Sequence, residues 1–391
     1  MNHVVVVGAG LAGVRSAEAL RARGFQGNIT LIGEESHRPY DRPPLSKAVL
    51  LGEADSSRWE SDLDAMNVRH RAGVAAKGLR EGTVETTEGE ILYDGLVIAT
   101  GATPIRLRGE GDQQVLRTID DALRLRSRFG PGVRLVVVGA GWIGAEVATA
   151  ARRAGCEVTV VEAGQAPLSV ALGAEAGAHT APWYAAAGID LVLGERVASV
   201  DPGGVTLASG RTLHADVVVT GVGVRPAVGW LAGSGLTIED GVVTDEHLAT
   251  SLPGVVAVGD CAAWWSRRFQ ARLRVEHWDS ALNAPEVAAA TLLGEDAVYD
   301  PVPYFWSEQF GRMVQYAGYH VGARLVRRGD PERDPKWALC WLTGDDRLAA
   351  LLTVDRPRDL VQGRRIVESG QRLDVDRITD PSITLRDCTV A

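Results

Sequence analysis

The chain has 391 residues, of which 46% are hydrophobic and 23% charged, with a net charge of -9 and 45 glycines. At roughly 150 residues per domain, this predicts two or three domains, with cores large enough to do without disulfide staples. The acidic balance gives no global attraction to nucleic acid or an anionic membrane. The four cysteines, Cys156, Cys261, Cys340 and Cys388, are too scattered for a disulfide framework or a CxxC metal site.

The longest apolar runs, Val4–Val14 and Leu135–Ala145, are 11 residues each, whereas a bilayer span needs roughly 20. No basic and apolar leader precedes the first strand, so a soluble cytoplasmic protein is expected.

In chain order, residues 3–34 open with a valine-rich strand, followed by Gly8-Ala9-Gly10-Leu11-Ala12-Gly13, a helix rich in Ala and Arg, and a second strand ending at Glu34. The run Arg38-Pro39-Tyr40-Asp41-Arg42-Pro43-Pro44-Leu45-Ser46-Lys47 follows, whose prolines predict an extended, rigid crossing. Thr83–Leu92 reads as a hairpin. A strand over Tyr93–Ala99 ends in Thr100-Gly101, and a helix begins at Leu116–Asp121, capped by Thr118 and Asp121.

Residues 134–162 then repeat the opening device, with Gly139, Gly141 and Gly144 in the turn and Glu162 at the end of the second strand. A strand over Ala215–Thr220 ends in Gly221-Val222-Gly223. Another over Gly254–Val258 ends in Gly259-Asp260, and Glu276-His277-Trp278 leads into an alanine-rich helix. From Tyr304 the character changes to alternating strands, such as Ala349–Val354, and a short helix near Asp359–Glu368. This segment holds 14 Lys and Arg against 13 Asp and Glu, and reads as a small separate domain.

The repeated spacing has a physical reading. The first glycine makes the tight turn out of the strand, the second lets backbone amides approach a pyrophosphate, and the third lets the helix pack on the sheet. The helix N-terminus then faces the phosphates. The closing Glu accepts hydrogen bonds from an adenosine ribose, and lies 21 residues past Gly13 in one copy and 18 past Gly144 in the other. Two complete copies predict two dinucleotides, most economically FAD and NAD(P)H. Glu162, followed by Ala163-Gly164-Gln165-Ala166 with no Arg, predicts NADH over NADPH. A disulfide reductase would need a redox cysteine beside the flavin, and none occurs before Cys156.

These motifs together resemble the oxygenase-coupled, NADH-dependent ferredoxin reductases, the putidaredoxin reductase-like FAD flavoproteins. The similarity runs along the whole chain, through Arg42–Lys47, Ala99-Thr100-Gly101, Leu116–Asp121, Gly139–Glu146, Gly259-Asp260, Glu276-His277-Trp278 and Phe305-Trp306-Ser307. The resemblance implies an α/β fold with two Rossmann-like dinucleotide-binding domains, one inserted in the other, plus a small C-terminal α+β domain. The expected boundaries are 1–109 and 236–303 for the FAD domain, 110–235 for the NAD domain, and 304–391 for the C-terminal domain.

It also implies roles. Gly8, Gly10, Ala12, Gly13 and Glu34 would hold the ADP half of FAD, with Val74 at the adenine. Arg42, Lys47, Thr100, Gly101, Arg117 and Asp260 would line the rest of the FAD site. Gly139, Gly141, Ile143, Gly144, Glu146 and Glu162 would bind NADH, above Gly221 and Gly223. Lys47, Glu146 and Trp278 are the expected catalytic residues, with Glu146 reaching the nicotinamide and pairing with Lys47. The partner would be an iron-sulfur ferredoxin, engaged transiently, that serves a cytochrome P450 or a Rieske oxygenase. The alternative is an NADH-sensing or rubredoxin-coupled flavoprotein of the apoptosis-inducing-factor type.

Two further expectations are open to the structure. Arg267, Arg268, Arg272 and Arg274, beside Trp264 and Trp265, form a candidate ferredoxin dock, with Arg324, Arg327 and Arg328 as the next candidate; the bland reading is a solvated loop whose arginines pair with local acids. Where the family has Gln-Gly, this chain has Ala284-Pro285, and Asn283-Ala284-Pro285-Glu286 reads as a fresh helix start.

Overall fold

A computed structural model describes residues 1–57 and 59–390. The elements that position the sites are, in chain order, β1 (His3–Val7), α1 (Leu11–Ala22), β2 (Asn28–Gly33), β3 (Val68–Ala72), β4 (Gly95–Ile98), α2 (Ile119–Arg126), β5 (Arg134–Val138), α3 (Trp142–Arg153), β6 (Glu157–Glu162), β7 (Asp190–Leu193), β8 (Val217–Thr220) and β9 (Val255–Ala257). They continue with α4 (Trp278–Leu292), β10 (Tyr304–Gln309), β11 (Arg312–Gly318), β12 (Arg324–Arg328), β13 (Trp337–Leu342), β14 (Leu348–Val354) and α5 (Pro357–Ser369).

These elements fall into two compact units. The first holds residues 1–41, 59–103 and 225–303. Its central sheet has the order β9-β4-β1-β2-β3, and every pairing is parallel. Val4, Val5, Val6 and Val7 are all buried, as expected of a parallel strand covered on both faces. Small residues on α1, among them Ala12, Gly13, Ser16 and Ala17, are buried too. The predicted hairpin is present, with Thr83 opposite Leu92 and Thr86 opposite Gly89.

The second unit holds residues 42–57, 104–224 and 304–390. Its parallel sheet runs β7-β6-β5-β8, with the short strand Gln113–Gln114 at the edge. It also holds an antiparallel five-stranded sheet of order β10-β11-β14-β13-β12. The α5 helix packs on that sheet, where a side chain at Gly363 would collide with Leu351. Trp183 joins Trp337 and Trp341 in an apolar cluster between residues 168–183 and the sheet. The α2 helix opens with the expected capping box of Thr118 and Asp121.

Two local expectations are corrected. Pro43–Ser46 is a short 3-10 turn rather than an extended crossing, because prolines at the first helical positions bring a preset φ and lose no hydrogen bond. No new helix starts at Asn283. The α4 helix runs unbroken through Pro285, with His277 as its N-cap, and Asn283 donates to Asp279 O at 2.8 Å from inside it. Packing decides here: Ala284, Pro285, Ala288 and Ala289 are all buried.

Candidate functional site

Both glycine turns have the same geometry. In the first unit Gly8 leaves β1 with φ +111°, and a Cβ there would strike Ala99 O; one on Gly13 would strike Gly8 O. In the second unit Gly139 has φ +102°, a Cβ there would strike Gly221 O, and one on Gly144 would strike Gly139 O. The outer glycines are thus demanded by the protein's own backbone. The middle glycines are different, since a Cβ on Gly10 or Gly141 would meet nothing within 4 Å. What those two positions leave clear is space above a helix start.

The helix starts are themselves bare. Neither α1 nor α3 has a side-chain cap or an acidic residue in its first turn. Their first N–H groups are therefore left to a ligand, with the helix dipole favouring an anion. A nucleotide pyrophosphate fits both turns on this ground.

Around the first turn, Glu34 is exposed immediately after β2. Val74 is buried in the core, its N–H bonded to Gly33 O at 2.8 Å. Thr100 donates its hydroxyl to Ala227 O at 2.8 Å, and Gly101 has φ +69°. Gly259 brings the Asp260 turn against α1, where a Cβ would lie 3.1 Å from that of Ala12. Trp278 opens α4 and donates its indole N–H to Asp41 Oδ1 at 2.6 Å. Its ring lies 6.5 Å from that of Trp59. Burial pushes the neighbouring His277 down to about 4, against the opposing pull of Asp260.

Around the second turn, Glu162 is fixed by its own cradle. One carboxylate oxygen accepts from Ala140 N at 2.8 Å and the other from Gly164 N at 2.7 Å. Gly221 follows β8, and Gly223 has φ +108°. Ile143 and Val222 are exposed apolar side chains, at 43% and 37%.

The same unit brings Lys47 and Glu146 together. Lys47 Nζ lies 2.9 Å from Glu146 Oε2, and Glu146 is only 4% exposed. Ser46 Oγ donates to the same oxygen, while Ser307 Oγ donates to Oε1 at 2.6 Å. Arg42 donates to Arg117 O at 2.5 Å. Sequence reasoning did not single out Asp41, Ser46 or Ser307, which bond to the expected site residues Trp278 and Glu146, nor the exposed Val222. Asp41 is adjacent to Arg42–Lys47, Ser46 and Ser307 are inside the quoted runs, and Val222 lies between two marked glycines.

The candidate docks are corrected. Trp264 is buried at 2% exposure and cannot anchor a partner. Arg267 lies 2.6 Å from Glu246, Arg272 reaches Glu239 at 4.0 Å, and Arg274 meets Asp240 at 3.0 Å and Glu276 at 2.7 Å. The local-acid reading therefore holds for those arginines. In the other cluster Arg328 is buried and bound to Asp359 at 3.0 Å, while Arg324 pairs with Asp346 at 2.7 Å. These arginines each have an acidic partner.

All four cysteines are free and buried. Burial raises each thiol, Cys340 to about 12, so none has the thiolate character that a redox dithiol needs. Among the described residues no helix is long and apolar enough to cross a membrane.

Residues 2–284 match the family model described as pyridine nucleotide-disulphide oxidoreductase, and residues 304–389 match a reductase C-terminal model. The chain is 34% identical, over its whole length and 99% of the relative, to the ferredoxin--NAD(+) reductase component of a p-cumate 2,3-dioxygenase system from Pseudomonas putida. The crystal structure of Fdr9 superposes with a TM-score of 0.95 at 51% identity, covering 98% of this chain and 99% of that one. The reductase in a covalent putidaredoxin reductase–putidaredoxin complex gives a TM-score of 0.94 at 32% identity, covering 99% and 98%.

Proposed function

Since the chain belongs to the pyridine nucleotide-disulphide oxidoreductase family, and within it to the ferredoxin--NAD(+) reductases, we propose that it passes electrons from NADH through FAD to a ferredoxin. That ferredoxin serves a Rieske oxygenase or a cytochrome P450. The observation that carries the reading is the pair of matched turns, each with its outer glycines filled by backbone and its middle glycine facing clear space. Two such turns suit an enzyme that holds FAD and NADH together. Bound FAD supplies the chemistry that joins a two-electron hydride donor to a one-electron acceptor.

The chain's own residues bind, orient and screen. Gly8, Gly10, Ala12 and Gly13 receive the FAD pyrophosphate, with Glu34 at the ribose and Val74 beside the adenine. Thr100, Gly101, Arg42, Arg117 and Asp260 hold the remainder of FAD. Gly139, Gly141, Ile143 and Gly144 receive the NADH pyrophosphate, above Gly221 and Gly223. Glu162 takes the ribose hydroxyls with the acceptor capacity that its two backbone donors leave over. Lys47, Glu146 and Trp278 act where hydride passes. Trp278 is pre-oriented by Asp41, and Lys47 by the buried Glu146. Domain limits of 1–109 with 236–303, 110–235 and 304–391 go with this division of labour. The cytoplasm is the proposed compartment, in keeping with four free thiols.

The purified protein should be yellow, release about one FAD per chain on denaturation, and reduce a ferredoxin rapidly with NADH. A folded, colourless protein would overturn the FAD assignment. A flavoprotein that takes hydride but turns over neither ferredoxin nor ferricyanide would favour an NADH sensor instead.

A further inference from the structure

Glu146 sits on α3, four residues after its start, and is buried almost completely. A buried carboxylate needs donors for both oxygens. Oε2 takes Lys47 Nζ at 2.9 Å and the hydroxyl of Ser46. Oε1 takes Ser307 Oγ at 2.6 Å and the amide of Glu308 at a longer 3.3 Å. The donors thus come from two segments far apart in sequence, the proline-rich turn and the first strand of the C-terminal sheet.

Ser307 is itself fully buried. Gln309, two residues on and therefore on the same face of β10, donates its Nε2 to Ser307 Oγ at 3.1 Å. A hydroxyl has one proton to give. With Gln309 as donor to it, Ser307 commits that proton to Glu146. The chain of bonds has one direction: Gln309 to Ser307 to Glu146 Oε1, with Lys47 held on the opposite oxygen. Without the Ser307 hydroxyl, Oε1 keeps only the long amide contact, and rotation of the carboxylate about its Cγ–Cδ bond, which carries Oε2 away from Lys47, is opposed mainly by the bonds at Oε2 itself.

We infer that Ser307 is a positioning residue, through which the C-terminal domain fixes the Glu146 carboxylate and so the Lys47 ammonium. The inference rests on the proposed role of Lys47 and Glu146 in hydride transfer, but its test does not depend on that role. The chain has only three lysines, Lys47, Lys77 and Lys336. Lys47, whose side chain is 20% exposed, lines a cleft of about 440 Å3 with Ser46, Glu146 and Arg312, so a small acylating reagent can reach it.

The experiment acetylates the FAD-loaded protein without NADH and follows each lysine by mass spectrometry, with Lys77 and Lys336 as internal references. Ser307→Ala should raise the labelling rate of Lys47 several-fold over the references, and Ser307→Thr, which keeps a hydroxyl, should restore it. Stopped-flow reduction by saturating NADH should fall roughly tenfold in Ser307→Ala, the scale of a modest misplacement, with little change in NADH affinity. Unchanged Lys47 labelling in a Ser307→Ala protein that melts like the wild type overturns the inference. So does a Ser307→Thr protein that labels like Ser307→Ala. Should Ser307→Ala fold poorly, Ser307→Cys gives the same test with a weaker donor. Glu146→Gln separates the two claims: if both variants expose Lys47 while reduction by NADH keeps its wild-type rate, positioning by Ser307 stands and the role of the pair in hydride transfer falls.

Discussion

Replacing Glu162 by glutamine should abolish the preference for NADH. The carboxylate is held by Ala140 N at 2.8 Å and Gly164 N at 2.7 Å, one bond to each oxygen. A carboxylate has roughly four lone-pair sites, so about two remain for ribose hydroxyls. A 2′-phosphate in their place forfeits a hydrogen bond to a charged group, which is worth about 1.5–3 kcal/mol. It also sets like charges side by side, at about 4 kcal/mol per unit pair at 4 Å and an effective dielectric of 20. Solvent and salt at this half-buried position trim that repulsion, so about 3 kcal/mol of discrimination is expected, or roughly a hundredfold in kcat/KM. Glutamine removes the charge, but its NH2 must then face one of the two backbone donors. NADH should therefore lose about tenfold while NADPH gains, bringing the two coenzymes within a few-fold of each other. The assay is kcat/KM for both coenzymes with ferricyanide as acceptor. A wild-type ratio near one, or a ratio unchanged in Glu162→Gln, would refute the assignment.

Other perturbations test other links. Trp278→Ala should retain FAD but slow its reduction by NADH, and Asp41→Ala should do the same in weaker form, roughly tenfold, because the indole N–H loses its 2.6 Å partner; Asp41→Asn, which keeps an oxygen acceptor, should be close to wild type in stopped flow. Pro285→Ala should stabilise the protein by about 1–3 kcal/mol, since an interior proline costs about 3 kcal/mol against alanine and part of that is offset by its buried ring and its stiffening of the unfolded chain; a lower melting temperature would show that the ring's packing outweighs the helix. Arg328→Met should cost about 3 kcal/mol in chemical denaturation, because the buried guanidinium donates to Asp359, Ile378 O, Asp380 O and Ile383 O; Arg356 still pairs with Asp359 at 2.6 Å, and a loss below about 1 kcal/mol would show that pair to be sufficient.

The parts of the fold that were legible are those with a repeated pattern or a local cause. The buried valines of β1 and β5 and the glycines at φ +111° and +102° carry a residue-type pattern that recurs in both turns, although the atoms that exclude a Cβ at Gly8 and Gly139 belong to Ala99 and Gly221, while the capping box at Thr118 and Asp121 is wholly local. The failures share a different cause. Asn283–Glu286 has every local mark of a helix start, yet four buried side chains in and after it, from Ala284 to Ala289, keep α4 continuous. Of the two readings open for Arg267 to Arg274, the dock gains weight because Glu239, Asp240 and Glu246 lie at least 21 residues away in sequence from the charges they meet, while Glu276, two residues from Arg274, is the local sign of pairing. Ser307 is the same case in the site itself, since its partner is 161 positions away.

The run Arg42–Lys47 is more specific as a sequence marker than either glycine turn, and its contacts, with those of Asp41 just before it, give a physical reason. A glycine turn answers to one steric demand, which any strand–turn–helix can make. Here consecutive residues answer to separate partners. Asp41 orients Trp278 within the first unit. Immediately after it, within the second unit, Arg42 binds Arg117 O, and Ser46 and Lys47 share one oxygen of Glu146. The 3-10 turn at Pro43–Ser46 is what delivers Ser46 and Lys47 to the same carboxylate, since an extended backbone would send successive side chains to opposite sides. Each of these residues is held by a partner that is itself a marker or a site residue. Substituting Pro43 and Pro44 together by glycine tests this: the loosened turn should raise Lys47 acetylation as Ser307→Ala does, while leaving the Trp278–Asp41 bond, followed as the difference in fluorescence against the same protein carrying Trp278→Phe, as in the wild type. Equal disturbance of both would mean that the run acts as one rigid strap rather than as two separately anchored halves.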